Sequence, residues 1–120
     1  IDGDGAALMH MGAIAIIGSQ APQNLVHVII NNAAHETVGG MPTAAGAIDL
    51  VGIAHSCGYR SSICVSDLDE LDAALRQAKS QTGPSLIEVR SSIGARDNLG
   101  RPTTTALENK RNFMRYLETL

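Results

Sequence analysis

From Ala6 to Ser19 the chain is apolar around most of its circumference, which predicts a helix buried inside an α/β domain, with Pro22 beyond its end. Leu25 to Ile30 is a β-branched run closing on Asn31-Asn32 and reads as a buried parallel strand. Residues 33–43 are polar and carry Gly39, Gly40 and Pro42, so a loop is expected there. From Ala44 to Cys57 a second helix is expected, with Ile48, Val51 and Ala54 on one stripe and Gly58 placed to cap its C-terminus. Ser61 to Val65 predicts a short strand. Asp67 offers an N-cap, and Glu70 completes a capping box. The helix that follows would bury Leu68, Leu71, Leu75 and Ala78 and stop at Gly83-Pro84. Leu86 to Val89 is the next strand, and a polar loop from Gly94 to Thr104 leads to a last amphipathic helix carrying Leu107, Met114 and Leu117. Strands alternating with helices predict a parallel sheet wound with right-handed crossovers. Ile1-Asp2-Gly3 reads as the last step of a further strand entering a turn, and the chain, which opens without Met, reads as part of something longer.

Composition narrows the class. A length of 120 residues suits one domain, and 44% hydrophobic against 18% charged residues predicts a packed core rather than disorder. Aromatic residues are 2% and Trp is absent, so the core has to come from Ala, Ile, Leu, Val and Met. A net charge of −3 without a basic run leaves no electrostatic footprint for nucleic acid. Ala6 to Ile17, interrupted by His10 and Gly12, is too short to cross a bilayer, so no membrane association is expected. Cys57 and Cys64 fall outside metal and redox spacings and read as reduced, buried thiols of a cytoplasmic protein.

The candidate chemistry lies at the start. Gly3-Asp4-Gly5 stands between the opening strand and the first helix, the place where open parallel sheets bind anions. As a dinucleotide fingerprint it fails at Leu8, where a small residue is needed, and Asn31-Asn32 replaces the acidic residue that such a fold carries at the next strand end. A nicotinamide- or flavin-binding domain is therefore disfavoured, and a non-catalytic, flavodoxin-like interaction module remains as a further reading. The aspartate between the glycines is more informative. A carboxylate facing a phosphate is repulsive unless a cation lies between them, and Mg²⁺ takes oxygens from protein and phosphate together. Asn31-Asn32, one helix and one strand later, offers the second oxygen donor.

Gly3-Asp4-Gly5 followed by Asn31-Asn32 resembles the signature of thiamine-diphosphate-dependent enzymes. The likeness extends through Ala6-Ala7-Leu8-Met9-His10-Met11-Gly12, Asn24-Leu25-Val26-His27-Val28 and His35-Glu36-Thr37-Val38-Gly39-Gly40-Met41-Pro42-Thr43 to Gly94-Ala95-Arg96-Asp97-Asn98-Leu99-Gly100-Arg101-Pro102 and Glu108-Asn109-Lys110. Over nearly the whole chain it is similar to the phosphonopyruvate decarboxylase family, with the sulfopyruvate decarboxylase catalytic subunit as a close relative. The resemblance implies a thiamine-diphosphate-binding C-terminal domain over residues 1–120, with the pyrophosphate-binding (PP-type) α/β fold, a parallel sheet with helices on both faces, truncated at its N-terminal strand. It implies that Asp4, Asn32 and the backbone carbonyl of Ala34 hold Mg²⁺. Gly3, Gly5, Ala6 and His35 would contact the cofactor, Gly5 and Ala6 through backbone N–H groups. The implied reaction is decarboxylation of a 2-keto acid, 3-phosphonopyruvate, to phosphonoacetaldehyde and CO₂. The implied assembly is a homo-oligomer whose pyrimidine-binding domain, with the glutamate that activates the aminopyrimidine, comes from another subunit. The 120 residues alone are then expected to be inactive.

His35 and Glu36 are candidates for substrate contact or proton transfer, weighed against a role in organising the loop. Arg96 and Arg101 are the candidates for a phosphonate, because the guanidinium fork matches its oxygens, with a solvated surface loop as the rival reading. His10, His27 and His55 read as hydrogen-bonded core residues.

Overall fold

The computed structural model describes residues 1–120. Four strands form one parallel sheet: β1 (Asp2–Gly3), β2 (Val26–Asn31), β5 (Ser61–Val65) and β6 (Ser85–Arg90), in the order β1-β2-β6-β5. The chain leaves β2, runs to the far edge as β5, and returns through α4 (Leu68–Ser80) to place β6 in the middle. Two short antiparallel strands, β3 (Ala34–His35) and β4 (Met41–Pro42), make a separate hairpin within the expected loop of residues 33–43.

Strand alternation sorts the core into two halves. Ile29 and Leu86 face one side, where Ile14, Leu50, Ala54 and Tyr59 cover them from α2 (Gly12–Gln20), α3 (Leu50–Ser56) and the turn after α3. Ile87 and Val65 face the other side and meet Ala74 and Ala78 of α4. The parallel sheet that the alternation of elements predicted is thus present, with helices on both faces as the resemblance implied. Full burial of a side chain such as Ile29 or Leu86 stabilises the fold by roughly 1.5–3 kcal/mol.

The first helical run is not one buried helix. It divides into α1 (Asp4–Met9) and α2, with the break at His10-Met11, because α1 packs on the 3₁₀ turn Ala44–Ala47 and α2 packs on α3. One side of each stays in solvent: Met9 is 79% exposed and Ile16 60% exposed. The second run divides too. Thr43 caps the turn Ala44–Ala47, and the Asp49 carboxylate accepts from the Gly52 N–H at 2.8 Å to start α3 afresh. Gly58 follows α3 in the left-handed region at φ 103°, the cap expected of it.

Further expectations are corrected by burial. His10, at the break after α1, and His55, on the open side of α3, are exposed, and only His27 is a hydrogen-bonded interior histidine. Cys57 is half-buried and Cys64 exposed, both as free thiols, because Cys57 lies at the end of α3 and Cys64 on the edge strand. In α4 the buried face is Ala74 and Ala78 with Leu71 beside them, whereas Leu68 is 81% exposed. Small residues let that helix approach the sheet closely. The last helix, α5 (Ala106–Leu117), forms as expected behind a Thr105–Glu108 capping box, but it buries no residue. No helix is long and apolar enough to cross a membrane.

Candidate cofactor and metal site

The ends of β1 and β2 lie side by side, with Gly3 opposite Ile30, so the segments that leave both strands meet at the carboxyl edge of the sheet. There they enclose a hollow of ≈ 380 Å³. Gly3, Asp4, Gly5 and Ala6 line one wall. Asn32, Ala34, His35 and Glu36 line the other. Every residue that the resemblance assigned to cofactor or metal is therefore gathered around one space. Arg96 and Arg101 do not line it and sit on an exposed loop.

Asp4 is 2% exposed although it carries a charge, which demands compensation. The Thr43 hydroxyl donates to its Oδ2, leaving the other carboxylate oxygen without a protein donor. Thr43 also accepts from the Ala45 N–H at 3.3 Å, and its own N–H donates to the Ala33 carbonyl at 2.9 Å. One residue thus fastens Asp4 to the loop that follows β2. Sequence reasoning gave Thr43 no role; the available signal was a hydroxyl closing a Gly-Gly-x-Pro loop ahead of a helical run.

The neighbouring asparagines have separate tasks. Asn31 points into the sheet, where its Nδ2 donates to Glu88 Oε1 at 2.6 Å and its Oδ1 accepts from the Ala33 N–H at 3.0 Å. Asn32 turns to the hollow, its Oδ1 accepting from the Ala34 N–H at 3.1 Å while its Nδ2 donates to Glu36. Between them Ala33 holds φ 55°, a left-handed conformation that costs an L-residue roughly 1–2 kcal/mol. The bonds on either side of it over-determine that turn, the condition under which such strain persists.

Glu36 has both oxygens engaged, one by Asn32 and the other by the Gly94 N–H at 2.7 Å, so it ties the exposed loop after β6 to the rim of the hollow. His35 lies against the start of α1: a methyl group on Gly5 would come within 2.5 Å of the imidazole.

Residues 1–89 match the family model for the C-terminal, TPP-binding domain of thiamine pyrophosphate enzymes. The chain belongs to this family. Thiamine diphosphate is the cofactor that the family's C-terminal domain binds, and the hollow offers what a diphosphate and its counter-ion need. Its donors are one buried carboxylate and neutral amide and carbonyl oxygens, a hard set suited to Mg²⁺. The chain is 40% identical over 119 residues to the phosphonopyruvate decarboxylase of Streptomyces viridochromogenes, covering 99% of this chain and 30% of that protein. It is 31% identical to the sulfopyruvate decarboxylase subunit beta of Methanococcus maripaludis, covering 98% of this chain and 63% of that subunit. A Mycobacterium smegmatis protein described as a thiamin diphosphate-dependent enzyme superposes with a TM-score of 0.63 at 27% identity, over 77% of this chain and 17% of its own. The chain thus spans about a third of the length of the Streptomyces decarboxylase.

Proposed function

We propose that this domain anchors Mg²⁺ and the diphosphate of thiamine diphosphate in a decarboxylase that converts 3-phosphonopyruvate to phosphonoacetaldehyde and CO₂. The observation that carries the reading is the buried Asp4 carboxylate, with one oxygen held by Thr43, facing Asn32 and Ala34 across a single hollow. Asp4, the Asn32 side-chain oxygen and the Ala34 carbonyl would hold the metal, and the Gly5 and Ala6 N–H groups would meet the diphosphate, with Gly3 leaving space beside it. When bound, thiamine diphosphate supplies the electron sink for loss of CO₂. The chain's own residues bind and orient it. The resemblance to the Streptomyces phosphonopyruvate decarboxylases, 40% identical in two species, favours the phosphonate substrate.

His35 is the residue on this domain best placed to contact cofactor or move a proton, because it lines the hollow and an imidazole nitrogen can donate or accept a hydrogen bond there. Glu36, with both oxygens engaged, braces the loop and holds Gly94, so that Arg96 and Arg101 are carried on a segment tethered to the site. One of those arginines would meet the phosphonate or a neighbouring subunit. A pyrimidine-binding domain, contributed by another subunit of the same enzyme, would complete the active site.

The sulfopyruvate reading keeps one specific support, the match to an archaeal β subunit over 63% of that subunit's length. The deciding experiment offers phosphonopyruvate, sulfopyruvate and pyruvate to the full-length protein with Mg²⁺ and thiamine diphosphate. Preference for phosphonopyruvate, lost on chelation and in Asp4→Ala, is expected. Turnover that survives Asp4→Ala and chelation would overturn the anchoring role, and preference for sulfopyruvate would overturn the substrate. Aldehyde release by the 120 residues alone would refute their role as an anchor only.

A further inference from the structure

We infer that Glu88 is a positioning residue for the metal-ligand loop, acting from inside the sheet through Asn31. Glu88 belongs to β6, the central strand, and is 2% exposed, yet it has no part in the chemistry assigned above. A buried carboxylate is retained only with partners, and this one has two. Its Oε1 accepts from Asn31 at 2.6 Å and meets the Arg90 guanidinium at 3.0 Å. Asn31, also 2% exposed, spends its remaining oxygen on the Ala33 N–H. That bond closes the left-handed turn at Ala33, and the turn sets where Asn32 and Ala34 stand. The chain of contacts Arg90–Glu88–Asn31–Ala33 thus runs from the middle of the sheet to the two candidate ligands. Fixing Asn31 also fixes its rotamer: with Nδ2 committed to the carboxylate, only Oδ1 is left to receive the Ala33 N–H.

The inference rests on the metal reading, and partners behind the ligands characteristically tune metal affinity by roughly ten- to a hundredfold. The test is Mn²⁺ binding to the full-length protein in the presence of thiamine diphosphate, read by the electron paramagnetic resonance of free Mn²⁺, with melting temperatures of the metal-free proteins taken alongside. Glu88→Ala is expected to weaken Mn²⁺ binding by roughly ten- to a hundredfold. Glu88→Gln keeps an oxygen for Asn31 and is expected to bind near the wild-type value. Asn31→Asp sets two carboxylates face to face and should weaken binding. The double variant Asn31→Asp, Glu88→Gln reverses the donor and acceptor and should recover it. Should Glu88→Ala not fold, the comparison of Asn31→Asp with the double variant still decides. Wild-type affinity in Glu88→Ala, or a double variant that regains its melting temperature but not its Mn²⁺ affinity, overturns the inference alone. A wild-type protein that binds no Mn²⁺ with thiamine diphosphate overturns the metal reading and this inference with it.

Discussion

The Thr43 hydroxyl donates to the carboxylate of Asp4 across 39 positions of sequence, joining the start of α1 to the end of the β3–β4 hairpin. The bond does more than satisfy a buried charge, since it fixes which carboxylate oxygen remains free toward the hollow. Thr43→Val preserves shape and deletes the donor. The expected result is a loss of Mn²⁺ affinity of roughly tenfold or more, measured by titration in the presence of thiamine diphosphate, whereas Thr43→Ser retains most of it. Equal affinities in the valine and serine variants would remove Thr43 from the site.

Gly5 lies close against His35, so that a Cβ at position 5 would stand only 2.5 Å from two imidazole atoms. Gly5→Ala must therefore displace the ring, and overpacking of this kind costs about 1–3 kcal/mol. The double variant Gly5→Ala, His35→Ala removes the obstacle, so it should melt at a higher temperature than Gly5→Ala alone. Additive losses in the double-mutant cycle would show that the two residues do not touch in solution.

The strands and the order of the elements along the chain were legible because they rest on local signals, β-branched runs and caps, whereas the residues that line the hollow were picked out by the likeness to thiamine-diphosphate-dependent enzymes. The places where the reading missed share a cause. Ala6 to Ser19 is apolar enough to bury any face, so the pattern alone could not put a break at His10-Met11; that break comes from two different packing partners, the Ala44–Ala47 turn and α3. The stripe of Ile48, Val51 and Ala54 suggested continuity through the second run, which the Asp49 cap interrupts in the structure. Thr43, Glu88 and the inward turn of Asn31 depend on contacts between residues far apart in sequence, which spacing does not encode.

Tyr59 gives the fold an alkaline limit. It is buried, and its hydroxyl meets His27 Nδ1 at 3.1 Å while His27 Nε2 meets Asp2 at 2.9 Å. With the Asp2 carboxylate accepting from Nε2–H, Nδ1 is left as the acceptor for the Tyr59 O–H. Burial first, then the nearby Cys57 and Asp2, push the phenol up to about 12 from its ordinary value of 10.0. Because the folded pKa is the higher one, the unfolded chain loses this proton first. Stability is intact below about pH 10 and falls as pH rises toward 12, by on the order of 2 kcal/mol. Melting temperatures at about pH 9 and about pH 11 should diverge less in Tyr59→Phe than in wild type, at a cost of about 1 kcal/mol at neutral pH for the lost hydrogen bond. An identical pH dependence in both proteins would sink the assignment.

Gly18 is the position where α2 and α3 meet backbone to backbone. A Cβ there would lie 1.9 Å from the Cys57 carbonyl oxygen and 2.6 Å from its carbon, and neither atom can rotate aside. Glycine lowers helix propensity by about 1 kcal/mol relative to alanine, so propensity alone predicts that Gly18→Ala stabilises α2. The contact predicts the opposite, a loss of about 3 kcal/mol as the two helices are forced apart. Gly12, in the same helix, would have no neighbouring atom within 4 Å of an added methyl group and serves as the internal control. Chemical denaturation should show Gly12→Ala equal to wild type or slightly more stable and Gly18→Ala strongly destabilised. If both alanines behave alike, α2 is not seated on α3 through Gly18, and α1, which shares the His10-Met11 bend with it, loses part of what holds Asp4 at the hollow.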